Sequence, residues 1–239
     1  MPEKTSRGLP QEFLKLIACI AMFLDHFGAA IVPELYIPYR VELYYVLRII
    51  GRISFPIYSF LLVQSMHHTR SPYKYILRLA IGILLAELPF DYLFEGNFTW
   101  EDQNVLLTLT LGAVMLLCMR KTEKPWLKVL LIIPFAFLAE VWNCDYGGWG
   151  VVIIAVFALV DRVSLQTIGV LLVNWAMNSS AVPVFGIHIP VQLFAVLAMI
   201  PIACYSGVKL TRSKAVQWGF YWFYPLHMLF LWVILGLIG

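Results

Sequence analysis

Apolar residues run along this chain in long stretches separated by short polar turns, and no polar block is large enough to fold alone. The runs fall at 12–32, 43–65, 73–95, 104–120, 126–142, 147–161, 164–178, 186–206 and 216–238. A helix needs about 20 mostly apolar residues to cross the hydrocarbon core of a bilayer. The pattern therefore predicts an all-α fold, a polytopic membrane helix bundle of about nine transmembrane helices, with residues 1–239 forming a single transmembrane domain. The sixth and seventh runs are short for a full crossing and are expected to be tilted, partly re-entrant or divided differently.

The polar turns give an orientation. Lys4, Arg7, Arg70, Lys74, Arg120, Lys121, Lys124, Lys128, Arg162, Lys209, Arg212 and Lys214 fall on the side of the N-terminus, whereas the opposite loops hold only Arg40. Basic loops stay cytoplasmic, so the N-terminus is expected inside and the C-terminus outside. Aromatics in "YIPYRVELYY", "FTW" and "FYWFY" lie near span ends, where amphipathic rings favour the interface. The first run shows no convincing cleavage site and reads as a retained helix.

Composition agrees. Hydrophobic residues make up 61% and charged residues 13%, with a mean hydropathy of +0.81; a soluble domain carries about 25% charged residues. The net charge of +3 is accounted for by cytoplasmic anchoring against membrane lipids and calls for no nucleic acid. Cys19, Cys118, Cys144 and Cys204 have no paired spacing, so no disulfide framework or metal cluster is implied.

Charges inside the apolar runs stand out, because an ionised group in the bilayer costs several kcal/mol, about 3 on insertion scales and more on others. Lys15, Asp25 and His26 lie on the first span, Arg48 and Arg52 on the second, and Arg78, Glu87 and Asp91 on the third; Glu140 is near the outer end of the fifth. Eleven residues advance a helix by three turns plus roughly 20°, so Lys15, Cys19, Met22 and His26 share a stripe. Asp25 points about 100° away from His26 and is better placed to meet an arginine of the second span. Arg48 with Arg52, and Glu87 with Asp91, are spaced to share a face.

Two interpretations remain open for these groups: an ion-pair core locking three helices together, or a site. His26 reads as functional. His227, beside Pro225 in the last span, is either a second polar group of the cavity or a hydrogen-bonded packing residue. His67 and His68 read as solvated, since a histidine pair without a carboxylate is a poor metal motif. The glycines of "YGGWG" at 146–150 permit tight turns or close approach of another backbone, and lack the context of a phosphate-binding loop.

The runs "KLIACIAMFLDHFG", "LRIIGRISFPIYSFLLVQSMHHT", "YILRLAIGILLAELPFD" and "FYWFYPLHMLFLW", in this order, resemble the TraX family of polytopic membrane proteins, whose named member acetylates the N-terminus of a conjugative pilin subunit. Lys15 and His26, with ten residues between them, are also similar to the basic-residue-to-histidine motif of the membrane acyltransferase-three family. The lysosomal heparan glucosaminide N-acetyltransferase is thought to share that architecture. No attached soluble acceptor-binding domain is matched.

The resemblance implies an acyl-CoA-dependent N- or O-acetyltransferase of the bacterial cytoplasmic membrane. Acetyl-CoA would be the donor cosubstrate, with no metal, and the acceptor a peptide N-terminus, amino sugar or glycan hydroxyl. On this reading His26, Asp25 and Arg52 are catalytic, with Arg52 stabilising the oxyanion or positioning Asp25. Lys15, Arg70, Lys74 and Arg78 bind the CoA phosphates, and Arg48, Glu87, Asp91 and His227 line the acceptor side. An acetyl-enzyme on His26 or Cys19 is the alternative to direct transfer. The competing classes are an anion or proton-coupled transporter using the same charges, and a noncatalytic scaffold.

Overall fold

A computed structural model describes residues 8–177, 179–184, 187–211 and 213–238. Lys4, Arg7 and Arg212, used above for orientation, lie outside the described residues. The chain is predominantly helical: α1 (Gln11–Ala30), α2 (Arg40–Gly51), α3 (Ser54–His68), α4 (Pro72–Phe94), α5 (Val105–Met119), α6 (Pro125–Leu130), α7 (Ile132–Val141), α8 (Gly147–Leu159), α9 (Val163–Ala176), α10 (Met199–Ala203) and α11 (Lys214–Ile238). A small antiparallel sheet, β1 (Ala181–Val184) with β2 (Ile187–Pro190), pairs Ala181 with Pro190 and Val184 with Ile187, and a 3₁₀ helix follows at Val191–Ala198.

Among the described residues, three helical segments are long and apolar enough to cross a bilayer: Gln11–Glu34, Arg40–His68 and Lys214–Ile238. Val105–Met119, Gly147–Leu159, Val163–Ala176 and Val191–Ala203 are shorter apolar stretches. Large apolar side chains remain exposed on many helices, among them Leu84, Phe137, Trp175 and Leu237. Such faces suit lipid, since hydrocarbon chains solvate them as well as a protein core would.

Prolines explain where predicted spans break. The second span is two helices parted at Arg52-Ile53, because the ring of Pro56 clashes with a carbonyl four residues back, that of Arg52. Pro134 stands in the same relation to Leu130 and parts α6 from α7. The eighth predicted span, 186–206, is not one helix but a strand, a 3₁₀ helix and the short α10. Pro190 ends the strand there and Pro201 prevents a regular α-helix through Leu197. Pro89 and Pro225 are accommodated inside α4 and α11.

The chain divides into two compact units. The first comprises Met1–Tyr58 and Val170–Gly239. Within it α1 packs on α2 and α11. Gly28 and Gly51 allow the close approach of α1 and α2: a Cβ at Gly28 would lie 2.8 Å from that of Leu47, and one at Gly51 would overlap the Asp25 side chain. The start of α1 is tied to the 204–210 segment by Leu9 N–H to the Cys204 carbonyl (2.7 Å), Gln11 N–H to that of Val208 (2.9 Å) and Leu210 N–H to the Glu12 carboxylate (2.9 Å).

The second unit, Ser59–Gly169, packs α4 on α5 and α8 on both α5 and α7. Glu140 accepts the Gly148 N–H at 2.8 Å, satisfying an orphan donor at the start of α8. A Cβ at Gly148 would stand 2.9 Å from the Ala136 carbonyl oxygen, so this glycine of "YGGWG" serves helix packing, while Gly147, at a φ of +49°, serves the turn before α8. The Cys144 thiol, in the turn before α8, is pushed up to about 12 by burial.

Candidate functional site

In the first unit the polar residues of α1 meet those of α2 and α11. Asp25 and His26, both buried, diverge around α1 as adjacent helical residues must. Asp25 is gripped by two guanidiniums: Arg48 Nη1 donates to Oδ2 at 2.8 Å, and Arg52 Nη2 approaches both oxygens at 2.5 Å. Arg52 sits at the break between α2 and α3, where its Nε donates to the Arg48 carbonyl at 3.3 Å and its Nη1 to Gln192 Oε1 at 3.1 Å. The Arg48 carbonyl already accepts the Arg52 backbone N–H at 3.2 Å, so the guanidinium is its second donor, and the same side chain ties α1, α2 and the 3₁₀ helix together. With two cations on one carboxylate, the cluster carries a net positive charge.

His26 turns to the other side. Its Nδ1 lies 2.7 Å from His227 Nε2, the two rings meeting edge to edge with planes 12° and centroids 5.0 Å apart. His227 Nδ1 is in turn 2.8 Å from the carbonyl of Phe223, one turn back on α11. The ring of Tyr224 stands edge-on to both imidazoles. Below them on the α1 stripe, Cys19 Sγ is 3.0 Å from the Tyr58 hydroxyl, and the Lys15 ammonium lies over the Phe220 ring at 5.2 Å. Lysine over an aromatic face gains an electrostatic attraction while its stem lies on apolar surface.

The remaining predicted site residues belong to the second unit. Arg70, Lys74 and Arg78 are exposed at and before the start of α4; Arg78 Nε bonds the Lys74 carbonyl at 3.3 Å, and its guanidinium lies over the Tyr75 ring. Glu87 and Asp91 are buried on one face of α4, but neither meets a basic residue among the described residues. Glu87 Oε2 accepts from the Asn104 amide, which also caps α5, and Asp91 Oδ2 accepts the Thr99 N–H at 3.1 Å. Glu87 Oε1 and Asp91 Oδ1 are buried without a hydrogen-bond partner among the described residues. The expected three-helix ion-pair core is thus confined to α1 and α2: the carboxylates of the third span take neutral donors.

Sequence reasoning missed Gln192, Tyr58, Tyr224 and Asn104. A neutral amide or phenol in an apolar run carries no cost signal comparable to that of a charge. No group of three or more metal-ligating side chains is assembled among the described residues.

A helical membrane protein with a buried arginine–carboxylate cluster beside a histidine pair is the class that these features define. The chain belongs to the TraX family: the pattern described as "TraX protein" matches residues 10–235. It is also similar to a probable fimbrial assembly protein FimC, serogroup H1, of Dichelobacter nodosus, 30% identical over 233 residues that cover 90% of this chain and 91% of that protein. No solved structure matches the chain.

Proposed function

We propose that the protein is a multi-pass acetyltransferase of the bacterial cytoplasmic membrane, moving an acetyl group from cytoplasmic acetyl-CoA to an amine or hydroxyl of a peptide or glycan acceptor in or across the membrane. A pilin-like peptide N-terminus is the acceptor that family membership and the fimbrial relative favour. The observation that carries the reading is the buried His26–His227 pair at 2.7 Å. Two ionisable rings inside apolar spans are costly, and such groups by default mark a site.

In this mechanism Lys15 draws the CoA phosphates to the cytoplasmic end of α1, as a cation does for an anionic ligand, and Arg70, Lys74 and Arg78, exposed on the second unit, add to the positive field of the cytoplasmic side. His26 acts as general base, taking a proton from the acceptor as it attacks the thioester carbonyl. Asp25 and Arg52, held by each other, fix the shape of α1 around His26. Arg48 belongs to the same cluster.

Protein in nanodiscs should release CoA from acetyl-CoA when a candidate amine is supplied, and His26→Ala should lower the rate by about 10²–10⁴-fold, the usual range for a general base. Acetyl-CoA binding and thermal stability should persist in the variant. A second reading, a proton-coupled transporter, draws on the partnerless oxygens of Glu87 and Asp91, which suit a proton relay. It predicts solute uptake indifferent to acetyl-CoA.

A further inference from the structure

We infer that His227 is a positioning residue that fixes the tautomer of His26 and so places the basic lone pair on His26 Nε2. Its consequence for turnover rests on the acetyltransferase reading; the tautomer itself belongs to the resting protein. A carbonyl oxygen only accepts, so the 2.8 Å bond from His227 Nδ1 to the Phe223 carbonyl requires a proton on that nitrogen. A neutral imidazole carries one N–H, which leaves His227 Nε2 as an acceptor. The proton in the 2.7 Å bond between the rings must then come from His26 Nδ1. Neutral His26 consequently holds its lone pair on Nε2.

The neutral form of the pair follows from its surroundings. An additional proton would be a second buried positive charge beside a cluster in which two guanidiniums face one carboxylate. Asp25 adjoins His26 in sequence, but the arginines hold it, so a neutral ring orients the base where a carboxylate does so in many triads. The chain Phe223 carbonyl, His227, His26 runs from the backbone of α11 to the stripe of α1 with a defined proton at each step.

During transfer the acceptor nitrogen or oxygen forms a bond to the acetyl carbon and its proton passes to His26 Nε2. The carbon–sulfur bond breaks, its electron pair leaves on the CoA sulfur, and that sulfur takes the proton back from Nε2 as a thiol. Nδ1 keeps its proton throughout, and His227 stabilises the transient imidazolium as a hydrogen-bond acceptor.

The test uses the full chain in nanodiscs with His67→Gln, His68→Gln and His188→Gln, which leaves two of the five histidines. Solid-state ¹⁵N NMR of labelled histidine reads which ring nitrogen bears the proton. Both rings are expected with Nδ1 protonated and Nε2 bare. In His227→Gln, whose amide oxygen can accept the same proton, His26 should keep that form; in His227→Leu it should lose it. In turnover, His227→Leu should lower kcat about 10- to 100-fold with little change in KM for acetyl-CoA, and His227→Gln should recover most of it.

A wild-type spectrum with the proton on His26 Nε2 would overturn the inference, as would full kcat in His227→Leu. If His227→Leu fails to fold, the wild-type and His227→Gln spectra still decide. The expected tautomers without any acetyl-CoA turnover would uphold His227 as the orienting ring and discard the acetyltransferase reading instead.

Discussion

Asp25 in the first unit and Asp91 in the second are both buried carboxylates on long apolar helices, yet one is held by two guanidiniums and the other by a single backbone N–H. Charge in a membrane segment therefore has two outcomes here. Where arginines come from the facing helix, the carboxylate is an anchor that shapes α1 and α2. Where the donors are neutral, as for Glu87 with Asn104 and Asp91 with Thr99, one oxygen of each group has no hydrogen-bond partner among the described residues. The first arrangement is a finished structural joint, and the second leaves capacity for a proton or a cation.

The two outcomes separate under substitution. Asp25→Asn removes the carboxylate charge that buried Arg52 and half-buried Arg48 share and should destabilise the protein by about 3–5 kcal/mol, the usual cost of breaking a buried pair from one side. A large drop in the apparent melting temperature in detergent would register it, and an unchanged melt would show that the cluster is solvated. Gly51→Ala attacks the same joint sterically, by driving a methyl group into the Asp25 side chain; about 1–3 kcal/mol is expected for such overpacking.

Glu87→Gln and Asp91→Asn should sit at the other extreme. Each amide keeps an oxygen that can accept from Asn104 or Thr99, so a stability change below about 1 kcal/mol is expected. A melt as damaged as that of Asp25→Asn would reveal an unrecognised cationic partner and erase the contrast. The smallest effect concerns the thiols outside the spans. Cys144, whose thiol burial pushes up to about 12, should resist maleimide at pH 8, because it remains protonated well above neutrality. Exposed Cys204 should label readily, and an impermeant reagent should reach it only from the cytoplasmic side if the orientation read from the basic loops holds.

Much of the first unit was legible in the sequence because its signals are expensive ones. The rotation between Asp25 and His26 on α1 foretold that the carboxylate would meet an arginine of the second span while the histidine faced elsewhere, and both occur. The apolar runs located most helices to within a few residues, since hydrophobic length is a coarse and strong constraint. Proline breaks were not anticipated at Arg52 and Leu131, although Pro56 and Pro134 carried the information four and three residues downstream. The eighth run hid the second strand of a hairpin because apolar composition does not distinguish strand from helix over a short stretch.

Partner identity was harder. His227 is 201 positions from His26, and no periodicity within one helix specifies which ring it faces on another. Gln192 is invisible for a different reason: a lone amide does not announce itself, and its place beside Arg52 depends on the 3₁₀ segment that the pattern of apolar residues concealed. Likewise, spacing put Glu87 and Asp91 on one face of α4 but gave no indication that Asn104 and Thr99 would serve them in place of arginine.

The most direct test supplies isotopically labelled acetyl-CoA and a peptide with a free pilin-like N-terminus to the purified protein in nanodiscs, and follows the label by mass spectrometry. Label should enter the peptide with wild type and fail to do so with His26→Ala, while both proteins melt at similar temperatures and bind acetyl-CoA alike. Equal labelling by the two proteins would contradict the role given to His26, and no labelling of any amine or hydroxyl acceptor, together with uptake of solute into liposomes, would contradict the acetyltransferase reading itself.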